Sequence, residues 1–247
     1  MRNEVSIPTP DGDMRAFAFT PDEGMGPWPT AILFMDAPAI RPALFEMGER
    51  LAQAGYYVVV PDLFWRAGPY DPPDIRAARA GDPEAMAIFQ KLRGSTGAGR
   101  QMTDTKACLD WLDQQPQADA TKVGVTGYCM GGGIALRAAG TFPERIVAAA
   151  AFHGGNMATD EEKSPHRLAG AIKAKMLIAG ADEDASFPPE QCQRLAVALK
   201  EAGVDAEVSI WPGCKHGWVP TDMPVYNPEG AERHWCELTK LFAQTLG

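Results

Sequence analysis

The segment Gly127-Tyr128-Cys129-Met130-Gly131-Gly132-Gly133 places a cysteine among small residues in the form G-x-C-x-G. It follows an apolar run ending at Thr126 and precedes residues with helical spacing, which predicts a sharp strand-to-helix turn. Glycines let the backbone pass close to itself there, and the N-terminus of the following helix favours a thiolate and offers a donor to an oxyanion. The pattern predicts that Cys129 is a nucleophile. The alternative is that the glycines serve only helix-to-strand packing. A nucleotide loop is not indicated, because neither G-x-G-x-x-G nor G-x-x-x-x-G-K-[ST] occurs.

A thiol nucleophile in acyl transfer needs an imidazole to move a proton, and the chain has four histidines. His216 follows the predicted strand ending at Trp211 and lies in a short loop before a glycine, so it is the predicted base. His153 also follows an apolar run and is predicted to form a wall of the pocket. His166 in a polar stretch and His234 in the last helix are predicted to be surface or packing residues.

A carboxylate is expected to orient this imidazole, and three acids follow the apolar run 176–179. These acids are Asp182, Glu183 and Asp184, and they lie between Cys129 and His216 in the chain. The resulting order of nucleophile, acid and histidine is the one found in α/β-hydrolases. From position alone, Asp182 and Asp184 remain alternatives.

The elements that must position these residues alternate along the chain. Apolar runs of strand length occur at 30–35, 56–60, 123–126, 146–152 and 176–179, and a further strand is predicted at 206–211. Segments with helical spacing occur at 44–54, 101–112, 131–139, 189–202 and 229–246. This alternation predicts a single α/β domain over 1–247, with a mostly parallel sheet flanked by helices on both faces. Two further runs around Asp11-Gly12 predict an antiparallel hairpin at the edge. In such sheets the ligand site lies beyond the carboxyl ends of the strands.

The composition of the chain indicates which kinds of partner and cofactor to expect. The 247 residues carry 23 Lys and Arg against 32 Asp and Glu, a formal charge of -9 that disfavours nucleic acid and anionic membrane surfaces. No apolar run reaches the ~20 residues that span a bilayer, and the start at Met1–Glu4 lacks an export signal, so a cytoplasmic location is expected. The five cysteines include no C-x-x-C pair and are expected to be free thiols. No H-E-x-x-H or clustered metal-ligand pattern occurs, so no metal or organic cofactor is expected.

Three motifs together resemble the dienelactone hydrolase family, the cysteine-nucleophile branch of the α/β-hydrolase fold. They are the Cys129 segment, Asp184-Ala185-Ser186-Phe187-Pro188, and Pro212-Gly213-Cys214-Lys215-His216-Gly217. The resemblance extends from about Ile7 to Leu246 and includes Pro61-Asp62-Leu63-Phe64. It implies cleavage of carboxylic esters or lactones of the carboxymethylenebutenolide type through a Cys129, Asp184 and His216 triad and a thioester acyl-enzyme.

The resemblance also implies roles for neighbouring residues. The spacing from Asp184 to the Phe-Pro pair fits the family's acid loop better than that of Asp182. The backbone N–H groups of Ala37 and Met130 would form the oxyanion hole. Asp36 occupies the position of a family glutamate that pairs with the resting thiol, although it is one methylene shorter and could instead cap a turn.

The segment after His216 departs from the family pattern. The family holds a substrate carboxylate with arginines, one of them shortly after the catalytic histidine, but Gly217-Trp218-Val219-Pro220 supplies none. Arg66, or Arg76 and Arg79 on a helix, are the candidate replacements. A set of aromatic side chains near strand ends predicts an aromatic substrate pocket: Phe64, Trp65, Phe187 and Trp218, with His153. The Gly- and Pro-rich segment 67–99 is predicted to be a loop that acts as a lid.

Several other functions remain open at this point. A general carboxylesterase or thioesterase would use the same site. A thiol redox protein would oxidise Cys129 and resolve it with Cys214. A non-catalytic binding domain would share only the fold. The expected partner is a small ester or lactone, and the expected assembly is a monomer or homodimer.

Overall fold

The computed structural model describes the backbone of residues 1–247 and every side chain except that of Arg79. Eight strands form one sheet: β1 (Arg2–Thr9), β2 (Gly12–Phe19), β3 (Trp28–Phe34), β4 (Tyr57–Pro61), β5 (Ala118–Tyr128), β6 (Ile146–Phe152), β7 (Lys175–Ala181) and β8 (Ala206–Trp211). Seven helices connect or flank them: α1 (Pro42–Gln53), α2 (Ile75–Arg79), α3 (Pro83–Ser95), α4 (Ala98–Leu112), α5 (Met130–Thr141), α6 (Pro189–Glu201) and α7 (Pro228–Thr245).

The strand order is β1-β2-β4-β3-β5-β6-β7-β8. β1 pairs with β2 and β2 with β4 in antiparallel fashion, and all remaining pairs are parallel. The prediction of a mostly parallel sheet with an antiparallel hairpin at one edge is therefore confirmed. β6 and β8 have the predicted bounds, whereas β5 extends beyond its apolar core at both ends.

The central strands are apolar on both faces because helices cover both. Every residue of β4 is buried, as are residues 123–128 of β5. α5 packs on β5 and β6, with Gly132 against Ala151, while Phe242 of α7 packs over Gly124 of β5. A Cβ at Gly124 would lie 2.8 Å from the Phe242 ring, so the small residue allows α7 to approach. This packing holds β5 and β6 between α5 on one face of the sheet and α7 on the other.

The segment 67–99 was predicted as a loop, and that prediction is wrong. It contains α2 and α3, with Asp74 accepting a hydrogen bond from the Ala77 N–H and Asp82 accepting one from the Ala85 N–H. Pro83 then occupies the first turn of α3, where its missing N–H costs nothing. An acidic N-cap followed by proline is a helix-start pattern, and here it outweighs the Gly and Pro content.

Among the helices that the structure describes, none is both long and apolar enough to span a bilayer.

Candidate active site

Cys129 lies at the turn between β5 and α5 with φ of 53°, a conformation that L side chains rarely adopt. The close packing of the turn holds it there. A Cβ on Gly127 would overlap the Gly131 carbonyl, and one on Gly131 would overlap the Phe34 carbonyl, so both positions require glycine. The strained turn directs the Cys129 side chain out of the sheet and into a cavity.

His216 and Asp184 meet Cys129 at this edge of the sheet. His216 Nε2 lies 3.0 Å from Cys129 Sγ, and His216 Nδ1 lies 2.6 Å from Asp184 Oδ2. Asp184 follows β7 and His216 follows β8, so the three groups come from the carboxyl ends of three strands. The arrangement is a connected thiol, imidazole and carboxylate chain.

Asp182, the alternative acid, has a different position. Its Oδ2 accepts a hydrogen bond of 2.9 Å from the Gly213 N–H, and its own N–H donates to the Cys214 carbonyl at 2.7 Å. Asp182 therefore tethers the loop that carries His216, whereas Asp184 contacts the imidazole. The N–H and Oγ of Ser186 donate to Asp184 Oδ1 at 2.8 and 2.7 Å and leave Oδ2 for the histidine.

The electrostatics of this chain favour a protonated imidazole. Burial alone would lower the pKa of His216, but hydrogen bonds with Asp184 and Cys129 outweigh it and raise that pKa to about 10. Burial acts to raise the pKa of Asp184, and the hydrogen bonds from His216 and Ser186 reverse this and lower it. Asp184 therefore stays ionised and keeps a proton on His216 Nδ1.

Asp184→Asn is expected to move the alkaline limit of activity. In the unaltered protein kcat/KM should fall only as the pH rises through about 10, where His216 loses its proton. Loss of the carboxylate charge should shift this fall down by about 1–3 pH units, and Asp182→Asn, as the matched control, should not. A pH profile of kcat/KM measures the shift, and an unchanged profile in Asp184→Asn would refute the pairing.

The raised pKa of His216 also stabilises the folded protein. This contribution to the free energy of unfolding is fully present below pH 6.5 and is lost as the pH rises through about 10.

Asp36 does not face the thiol, which corrects the role implied by the family resemblance. It is 2% exposed, and Arg41 Nη1 and Nη2 donate to its two carboxylate oxygens at 2.5 and 2.9 Å. The shorter side chain is committed to this bidentate pair, and the Cys129 thiol lies against His216 instead. Arg41 also donates to Asp222 at 2.6 and 3.1 Å, which connects the start of α1 to the segment that follows His216.

His153 lies beneath Cys129 and is not a pocket wall. It is fully buried, and its Nδ1 accepts a 3.1 Å hydrogen bond from the Cys129 N–H. Burial, together with the charges of His216 and His234, lowers the pKa of His153 well below 6.5, so the ring is neutral and Nδ1 is free to accept. His153 thus supports the backbone of the turn. No pattern in the sequence indicates which side of the turn this ring occupies.

The other predicted pocket aromatics are core residues. Phe64, Phe187 and Trp218 are fully buried, with Phe187 against Gly180 and Trp218 against His153. Trp65 lies over the turn between β1 and β2, away from Cys129. A position just after a strand does not say whether a side chain points up into the cavity or back into the core, and these large apolar groups fill the core.

Helices α2 to α5 and the segment 155–165 line the actual cavity, which has a volume of about 730 Å³. Cys129, Asp184 and His216 lie on its wall, as do Ala37 and Met130. A second cavity of about 610 Å³ also reaches His216 and is lined by Met223, Pro224 and Val225. The triad therefore lies at the junction of two cavities.

The remaining histidines and the candidate replacement arginines lie elsewhere. His234 is buried and bonded to the Tyr128 hydroxyl at 2.8 Å, and His166 bonds to Ser164 Oγ. Arg66 is paired with Asp104 and Asp11. Arg76 lines the second cavity, and the side chain of Arg79 lies outside the described part of the chain.

Two backbone groups near the thiol have free donors. Ala37 follows β3, and its N–H donates to no described group. Met130 is the first residue of α5, where an N–H has no acceptor in a preceding turn.

Among the described side chains, no group of three or more His, Cys, Asp or Glu is placed to hold a metal ion.

A cysteine in a strained turn after β5, with an acid after β7 and a histidine after β8 on a mostly parallel sheet, is the arrangement of an α/β-hydrolase fold. The sequence model of the dienelactone hydrolase family matches residues 14–246. The chain belongs to the dienelactone hydrolase family, and the resemblance seen in its motifs is confirmed.

Individual relatives cover nearly the whole chain. A Methylorubrum extorquens protein named "Putative carboxymethylenebutenolidase" is 27% identical over 248 residues, 98% of this chain and 80% of that protein. An Escherichia coli K12 protein of the same name is 26% identical over 246 residues, 98% of this chain and 87% of that protein. A Klebsiella pneumoniae crystal structure described as "Putative Dienelactone Hydrolase" superposes with a TM-score of 0.85 at 26% identity, covering 99% of this chain and 98% of that one.

Proposed function

We propose that this protein hydrolyses carboxylic esters or lactones through Cys129, His216 and Asp184. The observation that carries the proposal is the 3.0 Å contact between Cys129 Sγ and His216 Nε2, with Asp184 on the other imidazole nitrogen. A thiol activated by an adjacent, oriented base is the arrangement that covalent acyl transfer requires. Its position on the wall of a 730 Å³ cavity gives a substrate carbonyl access to the sulfur.

Acylation begins with the thiol proton already held on His216 Nε2. The Cys129 sulfur attacks the ester carbonyl carbon, and the N–H groups of Ala37 and Met130 hold the oxyanion. The bond to the leaving oxygen then breaks, and that oxygen takes the proton from His216 Nε2. The product is a thioester on Cys129 and a free alcohol, or the opened ring when the substrate is a lactone.

Deacylation uses the same groups in reverse. The neutral His216 takes a proton from a water molecule as that water attacks the thioester carbon. The carbon–sulfur bond breaks and the acid leaves, while the proton stays on His216 and restores the starting pair with the Cys129 sulfur. Asp184 stabilises the imidazolium in both half-reactions without itself taking a proton.

The thiol redox alternative lacks support in the geometry. Cys214 is 5% exposed, and its sulfur packs against Gly230. Burial is the main effect that raises the pKa of Cys214. A resolving cysteine must reach the first sulfur as a thiolate, and both properties oppose that role. Ester hydrolysis retained in Cys214→Ser would count further against it.

Hydrolysis of p-nitrophenyl acetate and of a carboxylated dienelactone, measured side by side, tests the proposal. Turnover of the lactone above the simple ester would assign a lactonase. Preference for the linear ester would assign a carboxylesterase, and a thioester substrate in the same assay identifies a thioesterase. Failure to hydrolyse any of the three would refute the proposed function.

A further inference from the structure

One face of α5 lines the active-site cavity along its length. Met130, Gly133, Ile134 and Arg137 follow the i, i+3, i+4, i+7 spacing that places side chains on one helix face. Arg137 lies eight residues beyond Cys129, which corresponds to roughly 12 Å along the helix axis. Helical side chains lean toward the helix N-terminus, and Arg137 lines the same cavity as Cys129.

The Arg137 guanidinium lacks a counter-charge. It is half-buried, and its Nη2 donates a 2.8 Å hydrogen bond to the Lys163 carbonyl. Among the described side chains, no carboxylate lies within 4.0 Å of it, so burial lowers the pKa of Arg137 with no opposing charge. A guanidinium has five N–H donors, and most of these remain available to a ligand.

Other shielded arginines in this protein are paired. Arg41 and Arg66, with side chains 7% and 9% exposed, each contact two carboxylates. A sheltered charge without a partner is costly, so the protein elsewhere supplies acids to its shielded guanidinium groups. Arg137 differs because it faces a cavity where a ligand can supply the anion.

The wall of this cavity carries an excess of cationic side chains although the chain carries a net charge of -9. Besides Arg137, Arg93 and Lys163 line it, and outside the triad Glu161 is the one acid on its described wall. Neither Arg93 nor Lys163 forms an ion pair with a described carboxylate. A concave site with an excess of one charge attracts the opposite charge.

We propose that Arg137 is a specificity-determining residue that binds an anionic group at the far end of the acyl chain. The group is a carboxylate or a phosphate, since a guanidinium binds either through paired hydrogen bonds. The acyl carbon bonds to Cys129, so the acyl chain lies in the cavity that holds both Cys129 and Arg137. The apolar cavity on the other side of His216 receives the leaving group. The substrate is thus an elongated ester with its anion on the order of 10 Å from the scissile carbonyl. This assignment rests on the proposed hydrolysis at Cys129.

Two matched series of p-nitrophenyl esters test the assignment by kcat/KM. One series has a methyl group at the end of the acyl chain, and the other has a carboxylate, with increasing chain length in both. Arg137→Gln keeps a donor for the Lys163 carbonyl but removes the charge, and Arg137→Lys restores a charge. Arg145→Gln is the matched control, because Arg145 is also partly shielded but lies outside the cavity, paired with Asp113.

The unaltered protein should prefer carboxylate-terminated esters, with a maximum at the chain length that connects Cys129 to Arg137. Arg137→Gln should lower kcat/KM for those esters by about 10- to 100-fold and leave the neutral series within about twofold. Arg137→Lys should recover part of the loss, and Arg145→Gln should change neither series. An equal effect of Arg137→Gln on both series would overturn the assignment.

A binding measurement separates failure of this subsite from failure of the proposed hydrolysis. Calorimetric titration of the unaltered protein and Arg137→Gln with octanedioate and with hexyl phosphate needs no turnover. Binding weakened about 10-fold or more by Arg137→Gln supports the subsite even if no ester is cleaved, and the tighter probe identifies the anion. If esters are cleaved but both probes bind Arg137→Gln as tightly as the unaltered protein, the subsite is refuted and the proposed hydrolysis is not.

Discussion

Cys129→Ala is expected to lower kcat/KM for any hydrolysed ester by about 10⁴- to 10⁶-fold, because no covalent intermediate can form without the sulfur. The oxyanion donors of Ala37 and Met130 would remain and leave a small residual rate. Alanine tolerates the positive φ of position 129 no worse than cysteine, so the fold should be retained. Steady-state kinetics measures the loss, with circular dichroism as the check on folding.

The matched control for this experiment is Cys236→Ala. Cys236 is exposed on α7 and remote from the cavity, so its removal should leave kcat/KM unchanged. A thiol reagent should accordingly inactivate the unaltered protein and Cys236→Ala to the same extent. Near-full activity in Cys129→Ala would show that the nucleophile has been assigned wrongly.

Arg41→Met is expected to cause a large loss of stability, about 3–5 kcal/mol in the free energy of unfolding. The substitution removes both hydrogen bonds to the buried Asp36 carboxylate and leaves that group without a partner. It also releases Asp222 and with it the segment after His216. Urea unfolding at neutral pH measures the change, and kcat/KM should fall as His216 loses part of its support.

A double-mutant cycle identifies the cause of this loss. In Asp36→Asn/Arg41→Met the buried charge is gone, so the double variant should be more stable than Arg41→Met alone. Asp36→Asn alone should cost less than Arg41→Met, because Arg41 retains Asp222. Equal destabilisation by Arg41→Met with and without the Asp36 substitution would show that the lost packing of the arginine stem, not the stranded carboxylate, is responsible.

The sheet was predictable because its signals are local. Strand 146–152 is an uninterrupted apolar run, and strand 206–211 alternates apolar with polar residues. Both lie between helical patterns, and their bounds agree with the structure. The elbow was equally visible, because Gly127 and Gly131 stand where no Cβ fits. The grouping of Cys129 with Asp184 and His216 followed from the rule that strand carboxyl ends share one edge of the sheet.

The lining of the cavity could not be predicted in the same way, because it depends on where side chains point. Phe187 and Trp218 turn back into the core, and His153 turns under the nucleophile, choices that only tertiary packing decides. Asp36 forms an ion pair with Arg41, five residues away, and the family resemblance did not indicate this pairing. Arg137 was missed although its spacing of i+7 from Met130 along α5 already placed it on the nucleophile's face of the helix.

The most direct test of the account is to trap the acyl-enzyme. The protein is mixed with p-nitrophenyl trimethylacetate, whose bulky acyl group hydrolyses slowly, and quenched with acid before digestion and mass spectrometry. One trimethylacetyl group should be found on the peptide that contains Cys129. It should be absent from Cys129→Ala and should decay as the acid is released. Release of p-nitrophenol with no acyl group on Cys129, or with a stable acyl group on another residue, would contradict it.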